Sequence, residues 1–242
     1  MKRWRDRFPD KTFVQVGGLD LHYERAGKRT GRPVLLVHGL GDSTLTWRGV
    51  ARLLGKAGFA VVSIDLRGSG YSEKPLGADM TTHALVEELA NVIDLLDLDR
   101  PAVAGVSYGG LLALLLAARH PNKVGALLVS NALAYPEPIN LPLDLRLARH
   151  PLLNGFGHWV MNRRALEATF RAWNFNEGYA GVVARVDEHW RQLSLPNGKR
   201  AFMALVRGFD ESVIARGAAL YPMIRVPTLL LWGEREKWFP RE

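Results

Sequence analysis

Five residues, Gly105-Val106-Ser107-Tyr108-Gly109, constrain this chain more than any other stretch. They follow a short apolar run from Pro101 to Gly105 and lead into a Leu/Ala-rich run from Leu111 to Ala118. That order predicts a strand entering a helix through a sharp turn, with the central side chain on a strained backbone above the sheet. The flanking glycines suit such a turn, because a Cβ at either place would collide with the neighbouring strand or helix. Serine at the centre offers a hydroxyl nucleophile, and the Tyr108 N–H that follows points at the same space as a donor for an oxyanion. A glycine-rich βα turn with a structural serine uses the same residues. The strand-like and helix-like runs on either side favour the nucleophilic reading.

The rest of the chain reads as alternating buried strands and helices. Alternation from Thr12 to Arg25 around Gly17-Gly18 predicts a β-hairpin. Pro33 to Val37 is a short apolar run of the buried-strand kind, ending at His38-Gly39-Leu40-Gly41. Ser43 or Thr44 is placed to cap a helix carrying Trp47, Val50, Leu53 and Leu54, with Gly55 or Gly58 to end it. Phe59 to Ile64 is a second buried strand, and Leu85, Leu89, Val92, Ile93 and Leu96 form one helical stripe. Val124 to Ser130 and Val226 to Trp232 complete the strands. Such alternation predicts an α/β fold: a mostly parallel, doubly wound sheet with an N-terminal hairpin. Residues 135–224, rich in Arg and Trp with helical spacing, read as a helical cap inserted into a core formed by residues 1–134 and 225–242.

Composition narrows the function. At 242 residues with nearly half of them apolar, the chain suits one large domain and not a disordered segment. The absence of cysteine excludes disulfides, thiolate metal sites and cysteine nucleophiles. No apolar run approaches a bilayer span, and the basic start, Met1 to Arg7, is followed by no apolar segment of a signal peptide; a cytoplasmic protein without integral membrane association is expected. The net charge of +8 raises nucleic acid as a partner, but acids are interleaved with the basic residues, as at Glu24-Arg25 and Asp187-Glu188, and no nucleic-acid binding is expected.

Taken in order, His38-Gly39-x-Gly41, Asp65-x-Arg67-Gly68-x-Gly70-x-Ser72, Gly105-x-Ser107-x-Gly109-Gly110, a helical cap and Leu-Leu-Leu-Trp232-Gly233 resemble the capped α/β-hydrolase family across almost the whole chain. The resemblance implies Ser107 as nucleophile and the backbone N–H groups of Leu40 and Tyr108 as oxyanion donors. His38 reads as a structural histidine fixing its loop. The Asp65-to-Ser72 segment reads as a loop-building motif, with Arg67 paired to a carboxylate, Asp65 or a neighbour. In the family an acid lies three residues after the Trp-Gly pair, a place taken here by Glu236; Asn131, after the preceding strand, cannot ionise. The family's base is a histidine after the final strand, and the sequence stops at Glu242 before such a residue. The expectation is therefore a chain without that strand, histidine loop and closing helix, impaired as a catalyst, with Val226 to Trp232 as an uncovered edge prone to homodimers or exchanged segments. Among the histidines present, His38, His150, His158 and His189 are the candidates to approach Ser107.

These residues imply a cofactor-free, metal-free serine hydrolase of small apolar carboxylic esters. Thioesters, lactones, carbon–carbon bonds and perhydrolysis use the same chemistry. A non-catalytic ligand-binding relative is the reading from another class, favoured by the missing histidine and the Glu-for-Asp change. Trp159, Phe170, Trp173, Phe175 and Trp190 are candidates to line an apolar acyl site, or to form the core of the cap itself.

Overall fold

The computed structural model describes residues 3–134, 161–174, 180–209 and 211–236. Seven strands form one sheet: β1 (Thr12–Val16), β2 (Leu19–Ala26), β3 (Pro33–Val37), β4 (Ala60–Ile64), β5 (Ala102–Val106), β6 (Ala126–Ser130) and β7 (Thr228–Leu231). Their order is β1-β2-β4-β3-β5-β6-β7; β1 and β2 are antiparallel and the other five run parallel to one another. The hairpin closes through two residues, with Val16 opposite Leu19 and both Gly17 and Gly18 at positive φ, as its Gly-Gly pair requires.

Burial on both faces explains why the parallel strands read as unbroken apolar runs. In β3, Leu35 and Val37 join the core beneath α2 (Thr82–Leu95) and α3 (Tyr108–Arg119), whereas Val34 and Leu36 pack on the opposite face with Trp47 and Ala51. Ala51 belongs to α1 (Arg48–Lys56), whose footing differs from the expected one: Val50 and Leu53 are exposed, and Trp47, Ala51 and Leu54 face the sheet. The helix begins later than its cap suggested, because Thr44–Trp47 forms a 3₁₀ turn capped by Ser43. That turn rotates the apolar stripe away from Val50.

Between β6 and β7 the described elements are helical: α4 (Arg163–Thr169), a π-helical turn (Phe170–Asn174), α5 (Val182–Leu193), α6 (Gly198–Gly208), α7 (Glu211–Ala218) and a 3₁₀ turn (Tyr221–Met223). The chain returns to the sheet at β7, which lies at its edge. There Leu229, Leu230 and Leu231 are 52%, 66% and 45% exposed, so this strand differs from the buried strands beside it.

Arg67 does not pair with Asp65. Its Nε donates to the Glu88 carboxylate on α2 at 2.6 Å, and its Nη1 donates to the Asp79 carbonyl. Asp65 is fully buried and has other work: it accepts from the Thr44 N–H at 2.6 Å, the Tyr71 N–H at 2.8 Å and His22 Nδ1 at 2.7 Å. One carboxylate thus ties β2, the turn before α1 and the 66–72 loop to the end of β4.

Burial alone would raise the Asp65 pKa, but the His22 hydrogen bond and the Thr44 amide bring it down to about 2. An aspartate near 3.9 when unfolded and about 2 when folded adds stability at neutral pH. That increment, about 2–3 kcal/mol, is lost as pH falls from about 4 through 2. Urea unfolding between pH 7 and 2 should show this loss, and Asp65→Asn should be less stable at pH 7 and fall less steeply in acid.

Candidate functional site

Ser107 sits between β5 and α3 with φ 54° and ψ −121°, a conformation in which a non-glycine residue stores about 1–3 kcal/mol of strain. Its backbone is fixed on both sides. The amide donates to the Ser130 carbonyl at 3.0 Å, and the carbonyl accepts from the N–H groups of Gly110, Leu111 and Leu133 at 3.0, 3.2 and 3.3 Å. The glycines around it are sites of close approach. A Cβ on Gly105 would lie 2.2 Å from the Gly109 carbonyl oxygen, and one on Gly109 would lie 2.4 Å from the carbonyl oxygens of both Val37 and His38. The half-buried Ser107 hydroxyl makes no hydrogen bond among the described residues.

The second wall comes from the end of β3. Asp42 N–H donates to the Gly39 carbonyl at 3.2 Å, closing a turn with Gly41 at φ +67°. Leu40 is the first central residue of that turn. The position of a Cβ on Gly39 would be 3.4 Å from Ser107 Cβ and 3.8 Å from Ser107 Oγ, so the turn lies directly against the serine. Neither the Leu40 N–H nor the Tyr108 N–H is used by another group among the described residues. Tyr108 heads α3, where the first amides have no acceptor within the helix. Its ring is buried away from this wall, with the hydroxyl 3.0 Å from Thr82 Oγ1, and burial pushes the phenol up to about 12, so it stays neutral.

His38 is fully buried and both of its nitrogens are occupied. Nδ1 bonds the Gly39 carbonyl at 2.7 Å and Nε2 accepts from the Leu66 N–H at 3.1 Å, which fixes the tautomer with the proton on Nδ1. It holds the loop, as its sequence context suggested, and has no nitrogen left to act as a base. The other described histidines are also engaged elsewhere or held apart: His22 by Asp65, His120 by Glu87, and His83 by Arg119. His189 on α5 is buried, with its ring edge-on to Phe170 and Nδ1 3.9 Å from Asp42 Oδ1; burial lowers its pKa against the pull of Asp42, and the nearby Arg185 adds to the lowering. None of these bonds Ser107. His150 and His158 lie outside the described residues.

Glu236 follows β7, half-buried, and its Oε2 accepts from Asn131 Nδ2. The two places at which the resemblance puts an acid are therefore in contact, joined further by the Asn131 N–H donating to the Leu231 carbonyl at 3.0 Å. His38, Leu40, Ser107, Asn131 and Glu236 all follow the carboxyl ends of parallel strands, where open α/β sheets bind ligands. Of the five aromatics proposed for an acyl site, Trp159 and Phe175 lie outside the described residues, and so does the side chain of Trp173. Phe170 packs with Leu166, Val182 and Val186 in a small core of the inserted helices. Trp190 is half-buried with Lys199 Nζ 4.6 Å above its ring. Among the described residues no cluster of three His, Asp or Glu could hold a metal, and no helix is long and apolar enough to cross a membrane.

Sequence reasoning missed Asp42. Its carboxylate accepts from Arg185 Nη2 through both oxygens, each at 2.8 Å, and from Thr46 Oγ1. Burial alone would raise its pKa, but the Arg185 guanidinium holds the carboxyl below the usual range. The only sequence signal was an acid directly after a Gly-Leu-Gly turn.

A sequence profile of the alpha/beta hydrolase fold matches residues 32–176, more than half of the chain. The chain belongs to the alpha/beta hydrolase fold family. An uncharacterized protein of Mycobacterium tuberculosis (strain ATCC 25618 / H37Rv) is 33% identical over 144 residues, which are 60% of this chain and 40% of that protein. The chain thus spans about two fifths of the length of the first curated relatives it matches. The 2-hydroxymuconate semialdehyde hydrolase of Pseudomonas sp. (strain CF600) is 29% identical over 205 residues, 76% of this chain and 72% of that protein. Among solved structures, the enol-lactonase from Burkholderia xenovorans LB400 superposes with a TM-score of 0.70 at 26% identity, covering 90% of this chain and 80% of its own.

In this hydrolase fold the Ser107 turn depends on three backbones meeting at Gly105 and Gly109. Gly109→Ala forces a Cβ against two carbonyl oxygens that cannot swing aside, and should cost about 3 kcal/mol in urea unfolding. Gly49→Ala, on α1 with open space around its Cβ, should be neutral or slightly stabilising in the same assay.

Proposed function

We propose that this chain is a serine hydrolase of small carboxylic esters, with Ser107 as nucleophile. The observation that carries the reading is the pairing of an unbonded, strained serine hydroxyl with two unused amides, Leu40 and Tyr108, on the walls beside it. Attack of Ser107 Oγ on an ester carbonyl would form a tetrahedral centre with its negative oxygen held by these two donors. Such donors act where charge develops, and losing one typically lowers kcat by about 10²–10³. The base that takes the Ser107 Oγ proton returns it to the departing alcohol, then takes a proton from the water that attacks the acyl-serine and gives it back to Ser107 Oγ as the acid is released. The name of the enol-lactonase supports acyl chemistry, since opening a lactone is ester hydrolysis; the name of the semialdehyde hydrolase supports the neighbouring possibility of a small unsaturated acid as substrate.

Glu236 is proposed as the acid, at the end of β7, and the base as an imidazole supplied from outside the described residues. The helices between β6 and β7 are proposed to form a lid, with Trp159, Trp173, Phe175 and Trp190 as its acyl-contacting aromatics; Phe170 is taken up by their own core. One observation favours the second reading, a ligand-binding relative without turnover: no described histidine bonds Ser107. A short p-nitrophenyl ester separates the two. A hydrolase should release a Ser107-dependent burst followed by slow turnover, and Ser107→Ala should abolish the burst. A serine without a positioned base is expected to be about 10⁴–10⁶ slower than a complete triad. A fluorophosphonate should label Ser107; a label found only at another serine, or none at all, would leave the ligand-binding reading.

A further inference from the structure

We infer that Arg185, on the inserted helix α5, is a positioning residue for the Leu40 oxyanion donor and acts through Asp42. The inference deepens the reading of Ser107 as a nucleophile and rests on it.

The Leu40 amide belongs to a four-residue turn, Gly39 to Asp42, with no regular element after it to hold it: Thr44–Trp47 is one 3₁₀ turn. Beyond the Thr44 N–H, which Asp65 holds at 2.6 Å, the far end of the turn is fixed by the Asp42 side chain. Asp42 Oδ1 accepts from the Ser43 N–H at 2.8 Å, Oδ2 accepts from Thr46 Oγ1, and Arg185 Nη2 donates to both oxygens and to Thr46 Oγ1. The titratable and charged groups around Asp42 are Arg185, His189 and His38. His38 spends its single ring proton on the Gly39 carbonyl, and His189 is buried in surroundings that keep it neutral. Arg185 is therefore the cation that balances Asp42.

The inserted helices grip the rest of the turn as well. The Leu40 side chain packs with Met203 and Val206 of α6, and Phe202 of the same helix lies so close to Gly41 that a Cβ there would be 2.3 Å from its ring. The oxyanion donor is thus a shared product of the sheet and the insertion. Lifting α5 and α6 would release the turn that carries the Leu40 N–H, so productive chemistry is confined to the docked state.

Wild type, Arg185→Lys and Arg185→Met test this, with hydrogen exchange of residues 39–46 and the kinetics of Ser107 phosphonylation by a fluorophosphonate. The phosphonyl oxygen occupies the place of the oxyanion, so the maximal inactivation rate reads the donor and the half-saturating concentration reads docking. Arg185→Met should speed exchange at the Asp42 and Ser43 amides, which donate to the Gly39 carbonyl and to Asp42 Oδ1, about tenfold with β3 and β5 unchanged. It should also lower the maximal inactivation rate about 10²-fold with little change in half-saturation. Arg185→Lys, which keeps the charge on a single nitrogen but not the planar Nη2 amino group that spans Asp42 and Thr46, should recover part of both. Unchanged exchange at the turn, or faster exchange with an undiminished inactivation rate, would overturn the inference. If wild-type Ser107 proves unreactive, the hydrolase reading fails by itself, and exchange alone decides whether Arg185 holds the turn.

Discussion

The sharp, strained turn by which a parallel strand passes here into a helix above its own sheet requires three backbones to come within van der Waals distance. In this molecule the crossing is at Gly105 and Gly109, whose missing side chains let β5, α3 and the end of β3 meet. The residue between them must then adopt a left-handed φ, and Ser107 does so at 54°. The strain is held by hydrogen bonds to Ser130, Gly110, Leu111 and Leu133, drawn from both the neighbouring strand and the helix. The Tyr108 amide at the helix start and the Gly39–Asp42 turn at the next strand end take their positions from that crossing.

How much of this could be read in the sequence depended on how local the cause was. Strands β3 to β6 were legible because burial on both faces leaves unbroken Val, Leu, Ala and Ile runs. The Ser107 turn was legible because two glycines flank a serine at a strand-to-helix boundary. The footing of α1 was not, since Val50, Ala51, Leu53 and Leu54 are all apolar and a preceding 3₁₀ turn decides which of them face the sheet. The partner of Arg67 was misjudged because Glu88 lies 21 residues away on a helix, and charge alone could not choose it over Asp65. The Asp42–Arg185 contact, across 143 residues, leaves no trace in either local pattern.

The same contrast runs through the candidate site. The places of Leu40, Ser107 and Glu236 after strand ends were legible from motif and order, since the apolar runs mark those strands. The contact between Glu236 and Asn131 was hidden, because it depends on how the loops after β6 and β7 lean together. The division of roles between His38 and His189 was hidden for the same reason: one spends both nitrogens on backbone groups, whereas the other is buried beside an ion pair on an inserted helix.

The proposed chemistry requires two amides from different strand ends to converge on one oxygen beside Ser107. The crystal structure of the Ser107 phosphonate adduct measures that directly. The account predicts a tetrahedral phosphorus on Ser107 Oγ with one oxygen about 2.7–3.1 Å from both the Leu40 and Tyr108 nitrogens. An adduct whose oxygen points to solvent, or is bonded by side chains in place of these two amides, would contradict it.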